Sequence, residues 1–397
     1  MRILAAEWAS AGGSDSWPLL PEGYAMLRTT CSAFERLGHE TTAIVSRRIG
    51  PASRHIGATR QVIIGGDVVK AVSDLSPKFD CVFLIAPETD GILSALTRAA
   101  EGKTRVLSCP SWEVDILSDK AKTLDLVGRI AKSIGIPEWT AVETEQRAVS
   151  SSVQEIGLPC VVKPAAGAGS QGLTIVRTPR DVAVATARLR SLDCQRAIVQ
   201  ELVRGKHFSA AFVATGGKLV PLSVSSQLVD PSQNFEYSGG LAPQPVAAQP
   251  MLWRDLSKIV EETNLQGLMG VDFVYDGDRV YFMEINPRMT TSCIGLSKII
   301  EPGIAAALID PPSRLPATTG YATWRILPLT ATLRYSESLA ERFLAHPEIV
   351  SPPFPRGEFY VKGSSRFLAC TTGEDPTASI EEMNQLMERL REMRLPC

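Results

Sequence analysis

Apolar residues gather in short runs at 2–6 (RILAA), 41–45 (TTAIV), 61–64 (QVII), 81–86 (CVFLIA) and 105–108 (RVLS). Each is long enough for a strand and far shorter than a membrane span. Between several of them the polar and apolar positions repeat with helical period, most clearly at 22–37 after Pro21 and at 90–101. Strands alternating with helices predict a parallel sheet with covering helices. Residues 1–112 are therefore expected to form a doubly wound N-terminal domain. Its first strand-to-helix connection, Glu7 to Pro21, is long and contains AGGSDSWP. Such connections lie at the carboxyl ends of strands, where sheets of this kind bind ligands. An irregular connection without a ligand is the alternative.

Further on, Ser118 or Asp119 is placed to cap a helix over 119–134, closed by Gly135 and Pro137. A strand near 139–142, a helix from Glu143 to Ile156, a helix near 179–191 and strands at 160–163, 173–177, 197–202 and 208–214 then predict α+β organisation. The lobe boundaries fall at 113–205 and 206–300, the second lobe holding a helix at 254–265 and a terminal hairpin. Residues 301–397 show strand pairs near 320–335 and 358–371 and a helix at 377–393. They are assigned to a C-terminal extension that completes the large lobe, an interface being the alternative.

The segment VVKPAAGAGSQGLTIV places Lys163 at a strand end, a loop of small residues from Ala165 to Gly172, and a second strand directly after it. The loop contains G-x-G-x-x-G at Gly167, Gly169 and Gly172, with Ser170 among them. A dinucleotide-binding turn needs a helix after the glycines, whereas LTIVRT is β-branched. A P-loop needs its lysine after the glycines, and here it precedes them. What remains is a flap between two strands, able to lay backbone N–H groups over a polyphosphate while Lys163 adds a point charge. A hairpin with a loose turn is the alternative.

A second constellation is GVDFVYDGDRVYFMEINPR, residues 270–288. Two alternating runs flank Asp276, Gly277 and Asp278, which predicts a hairpin. Val271, Phe273 and Tyr275 form the apolar face, matched by Tyr281, Met283 and Ile285. Asp272, Phe282, Glu284 and Asn286 are left on the other face. Two carboxylates and an amide oxygen converging there would suit Mg²⁺, with Mn²⁺ as a substitute. A solvated polar face is the alternative. The reading requires Asp272 to lie opposite Glu284, which a three-residue loop at 277–279 would achieve. A two-residue loop at 277–278 without a bulge would send the carboxylates to opposite faces. A third segment, IVQELVRGKHF, could offer the backbone of Gln200, Glu201, Leu202 and Val203 to an adenine edge, although alone it is indistinguishable from a core strand.

Composition narrows the class. With 41 Lys and Arg against 43 Asp and Glu, no basic field exists to hold nucleic acid or an anionic membrane, so neither is expected as a partner. The eight cysteines include no C-x-x-C, and none of the four histidines has zinc-ligand spacing. Reduced core cysteines in a cytoplasmic protein are the expectation.

Taken together, these residues resemble the ATP-grasp superfamily. The likeness runs from Asp119-Lys120 through VVKPAAGAGSQG, VQELVRG and GVDFVYDG to MEINPRMTTS, roughly 118–295. The resemblance implies an α/β and α+β chain in which two lobes grip ATP behind an N-terminal parallel-sheet domain. It implies a ligase that joins a small-molecule carboxylate to an amine through an acyl phosphate. By it, Lys120 and Lys163 would hold the ATP phosphates, Gly167, Gly169, Ser170 and Gly172 would belong to the flap, and Gln200–Val203 would meet adenine beside Phe282. Asp272, Glu284 and Asn286 would bind magnesium, and Arg288 would face the γ-phosphate or the reacting carboxylate, making Arg288 and Lys163 the catalytic candidates. Two departures stand out: His207 occupies the place of the usual ribose-binding carboxylate, and Gly270 stands where many amino-acid ligases carry an arginine. EWASAGGSDSWPLLPEGYAML and MEINPRMTTS resemble, more narrowly, the branch containing tyramine-glutamate ligase of methanofuran-type cofactor biosynthesis. A homo-oligomer is compatible with this reading, and a nucleotide-binding regulatory protein or a carboxylase on the same scaffold are its alternatives.

Overall fold

Five parallel strands, Arg2–Glu7, Glu40–Ser46, Arg60–Ile64, Cys81–Ile85 and Arg105–Val106, make the N-terminal sheet in the order third, second, first, fourth, fifth. The computed structural model describes residues 1–397 apart from 14–18, 168–171, 231–234, 302, 312–316, 330–332, 355–359, 362–364, 394 and 396–397. The central strands are apolar without alternation because both faces are covered. Ile3 and Phe83 pack under the helix Leu20–Arg36 with Phe34, while Leu4, Val82 and Leu84 pack under Val68–Leu75 and Ile92–Ala100. The chain leaves the first strand in one direction and later crosses back to the fourth, so the carboxyl ends of these two neighbours form a crevice.

The smaller lobe is an antiparallel sheet of Trp139–Glu143, Arg196–Glu201, Cys160–Pro164 and Thr174–Val176, in that spatial order. Val149 and Val153 of one helix and Val182, Ala185 and Leu189 of another fill its core. Before it, Asp119 caps the helix Lys120–Ile130 by accepting from the N–H groups of Ala121 (2.9 Å) and Lys122 (3.2 Å). That helix stops four residues short of the expected end. The fully buried Asp255 is the reason: its Oδ2 accepts the N–H groups of Lys132, Ser133 and Ile134 at 3.0, 2.5 and 3.0 Å, which draws the chain out of helical geometry.

The larger lobe is an eight-stranded sheet whose hydrogen-bonded order is Val280–Asn286, Gly267–Tyr275, Lys206–Thr215, Lys218–Asp230, Glu236–Ala242, Tyr321–Pro328, Arg366–Gly373 and Ile349–Ser351. Three strands from beyond residue 300 thus continue one sheet with the carboxylate hairpin. Met383 and Leu386 of the helix Pro376–Glu392 share a core with Phe343 and Phe367, and also with Tyr24 and Leu27 of the N-terminal domain.

The hairpin register differs from the expected three-residue loop. Asp276 accepts the N–H groups of Asp278 (2.9 Å) and Arg279 (2.8 Å), and Tyr275 pairs with Val280. Continued without interruption, that register would put Asp272 and Glu284 on opposite faces. A β-bulge at Met283 restores the match, so that Asp272 lies opposite Glu284 and Gly270 opposite Asn286. The bulge also moves Phe282. It pairs with Phe273 and is fully buried in the core, with Val271, Val280 and Ile285, rather than on the carboxylate face where the alternation had placed it.

Candidate functional site

The bulged hairpin delivers Asp272, Glu284 and Asn286 to one face, and neighbouring strands fix them there. Asp272 Oδ1 accepts from Gln227 Nε2 (2.9 Å) and Oδ2 from Asn286 Nδ2 (3.1 Å), which leaves the Asn286 carbonyl oxygen for another partner. Burial pushes the Asp272 carboxyl above its ordinary range, and the charge of Glu284 adds to the effect. Burial would raise Glu284 too, but Lys120 and Lys163 outweigh it and hold that carboxyl below its usual value. The donors are all oxygens, and a cation between them would relieve the strain on Asp272, so the set fits a hard divalent ion. Among the described residues no three His, Cys, Asp or Glu side chains are grouped to hold a metal, so the third protein ligand would be the Asn286 amide.

Gly270 adjoins this face by necessity. A Cβ there would stand 2.5 Å from Thr290 Cγ2, so no arginine could occupy the position without moving the segment that carries Arg288.

Lys120 begins the helix Lys120–Ile130, where the backbone N–H groups already favour an anion. Its ammonium donates to Gly167 O (2.6 Å) and lies 3.4 Å from Glu284 Oε2, while its backbone N–H donates to Ala165 O (2.8 Å). The base of the glycine loop is therefore stitched to the helix start. Lys163, buried on Cys160–Pro164, has its ammonium pushed down to about 8 by burial, with Lys120 adding to the shift and Glu284 and Asp272 opposing it. Gly172 has φ +75°, and a Cβ would meet Pro164 and Leu192 at 2.8 Å. Gly169 and Ser170 lie outside the described residues.

Beyond Lys163, the strand Arg196–Glu201 ends and Leu202 and Val203 continue with no backbone hydrogen bond among the described residues. Gln200 is 3% exposed and its Nε2 has no hydrogen-bond partner among the described residues. Open backbone and an orphaned buried amide side by side are what a planar heterocycle with donors and acceptors can satisfy. His207 lies alongside, its ring centroid 5.2 Å from that of Phe235, and burial lowers its basicity.

At the other end, Arg288 Nε stands 2.9 Å from Glu88 Oε1, and Nη1 donates to Met289 O (3.2 Å). Glu88 follows the fourth parallel strand, so the N-terminal crevice opens onto this point. Glu7 ends the first strand and accepts the N–H groups of Ala9 (3.0 Å) and Ser10 (2.8 Å), while Glu22 Oε2 accepts from Thr291 (2.7 Å).

One cavity of about 500 Å³ joins these parts. Lys120, Lys163, Asp272, Glu284, Asn286 and Arg288 all line it, as do Gln200–Val203 and His207; Phe282 does not, and the bulged Met283 does. Sequence reasoning missed Gln227 and Glu88. Nothing local marks Gln227 within a long alternating strand. Glu88 was within reach of the rule that drew attention to Glu7–Pro21, since it too follows a central parallel strand. Among the described residues no helix is long and apolar enough to cross a membrane. Among the described residues seven cysteines are free thiols, six of them buried.

A family model described as ATP-grasp domain matches residues 117–292, and one described as pre ATP-grasp 3 domain matches 40–112. The chain is 25% identical to tyramine–L-glutamate ligase of Methanocaldococcus fervens over 313 residues, covering 77% of this chain and 92% of that protein. It is 24% identical to the formate-dependent phosphoribosylglycinamide formyltransferase of Wolinella succinogenes, over 64% of this chain and 65% of that one. Among solved structures, an ATP-grasp superfamily protein from Archaeoglobus fulgidus superposes with a TM-score of 0.62 at 22% identity, covering 85% of this chain and 95% of that one. The biotin carboxylase domain of the 2-oxoglutarate carboxylase of Hydrogenobacter thermophilus, in complex with MgADP, ADP and bicarbonate, superposes with a TM-score of 0.71 at 14% identity, over 98% and 89%.

Proposed function

The chain belongs to the ATP-grasp superfamily, and we propose that it is an ATP- and Mg²⁺-dependent ligase joining a small carboxylic acid to an amine. The observation that carries this is the meeting, in one cavity, of two lysines, the Asp272–Glu284–Asn286 set and Arg288, open at its far end to the crevice of a parallel sheet. A carboxylate oxygen attacking a γ-phosphorus brings two anions together, so the barrier falls only where fixed cations offset the repulsion. Lys120 and Lys163 would hold the nucleotide phosphates, and Arg288 would meet the transferring phosphoryl group or the acid. A divalent cation on Asp272, Glu284 and Asn286 would supply further neutralisation of the phosphates. The acyl phosphate would then lose phosphate to an amine entering from the N-terminal side.

For the acid we propose an amino acid, with the γ-carboxyl of glutamate as the specific candidate and a primary amine as acceptor. The likeness to tyramine–L-glutamate ligase across most of both chains supports this. The likeness to a formate-dependent enzyme supports a carboxylate substrate, since formate too is a carboxylate. The test is ADP and phosphate release with Mg²⁺ and ATP, scanned over amino acids with and without amines, formate included. Turnover that needs both an acid and an amine supports the ligase. ATP binding without turnover under every pair would make the chain a nucleotide-binding regulatory protein instead.

A further inference from the structure

Three carboxylates of the N-terminal domain stand around Arg288, and two are already engaged. Glu7 accepts two backbone N–H groups of its own loop, and Glu22 accepts the Thr291 hydroxyl. Glu88 differs. It is 5% exposed, and among the described residues the partner of its carboxylate is the Arg288 Nε, 2.9 Å away. A carboxylate buried this far stays ionised at least cost when a cation sits beside it. Nη1 donates to Met289 O, Nη2 has no protein hydrogen-bond partner among the described residues, and Arg288 lines the cavity, so Nη2 is the nitrogen available to a ligand there.

We propose that Glu88 is the positioning residue for Arg288: a carboxylate from the N-terminal domain that sets the plane of the arginine fork so that its remaining edge faces the reacting groups. An arginine side chain is long and many-rotamered, and a fork is useful only in one orientation. Because Glu88 belongs to the parallel-sheet domain and Arg288 to the large lobe, the arginine is aimed only when the two are docked. What Arg288 acts on rests on the ligase reading; the pairing itself does not.

The experiment uses the full chain with Glu88→Gln, Glu88→Asp, Arg288→Met and the Glu88→Gln/Arg288→Met double variant. Glu88→Gln is expected to lower kcat about tenfold or more while KM for ATP stays within about twofold, and Glu88→Asp to recover part of the loss. In the Arg288→Met background Glu88→Gln should cost no further turnover. Unaltered kcat in Glu88→Gln, or losses that add in full, would overturn the proposal. Thermal unfolding without substrates reads the pair separately. Glu88→Gln should lower Tm in the wild-type background and raise it beside Arg288→Met, where the carboxylate is otherwise buried without its cation. A shift of the same sign in both backgrounds refutes the pairing. If the wild type shows no acid-dependent turnover, the ligase reading falls while the unfolding cycle still decides the Glu88–Arg288 pair.

Discussion

Replacing Lys163 by methionine should make the nucleotide-free protein more stable and unable to bind ATP. The side chain is 7% exposed, and burial brings its ammonium from 10.5 down to about 8 even with Glu284 and Asp272 nearby. At pH 7 the folded protein still carries the charge, and the shift corresponds to a cost of up to about 3 kcal/mol relative to an uncharged side chain. Methionine has similar length and no charge, so most of that cost should be returned as stability. Between pH 8 and 10.5 the unfolded chain binds the proton more tightly than the folded one, so the wild type gains stability as pH rises through that window. The advantage of Lys163→Met should therefore be full at pH 7 and largely gone by pH 10. Urea unfolding of both proteins across this range, paired with calorimetric titration of ATP, measures both halves. A variant less stable than the wild type at pH 7, or an advantage that does not change with pH, would refute the reasoning; so would undiminished ATP affinity.

Glu284→Gln should abolish ATP turnover with an unchanged circular dichroism spectrum, since it keeps the shape and removes the charge expected to hold the cation; turnover near wild type would take Glu284 out of the metal set. Gly270→Ala should lower activity by driving a Cβ against Thr290 Cγ2, 2.5 Å away, and Thr290→Ser, which lacks that methyl group, should restore it; kcat of the single and double variants decides. Because burial and Glu284 raise the Asp272 carboxyl, the fold's preference for its protonated form is lost as pH rises, and a divalent cation should compensate where Asp272 is ionised. Mg²⁺ should accordingly raise Tm more at pH 8 than at pH 5 and release protons on binding, and equal shifts at both would exclude a site on Asp272.

The parallel strands of the first domain were legible because strands buried on both faces are written as unbroken apolar runs, a local signal. The lysine-ended strand and the carboxylate hairpin were legible for a related reason: charged residues within a strand are costly without a purpose. Their likeness to one superfamily followed from order along the chain. Register was another matter. Whether Asp272 meets Glu284 depended on an Asp276-centred turn and a compensating bulge at Met283, and since side chains alternate with a period of two, one residue decides the face. Alternation alone put Phe282 beside the carboxylates, and the bulge put it in the core.

By itself, then, the sequence determined the class of the central parallel strands and of the hairpin, the candidate anion-binding and cation-binding residues, and their likeness to a known superfamily, because those depend on neighbours a few positions apart. Only the tertiary structure decided that strands beyond residue 300 extend the sheet of the carboxylate hairpin, that Gln227 holds Asp272, and that Glu88 of one domain faces Arg288 of another. Those contacts join residues far apart in the chain. They exist because buried charges must find partners wherever packing brings them, and no local pattern records which partner that will be.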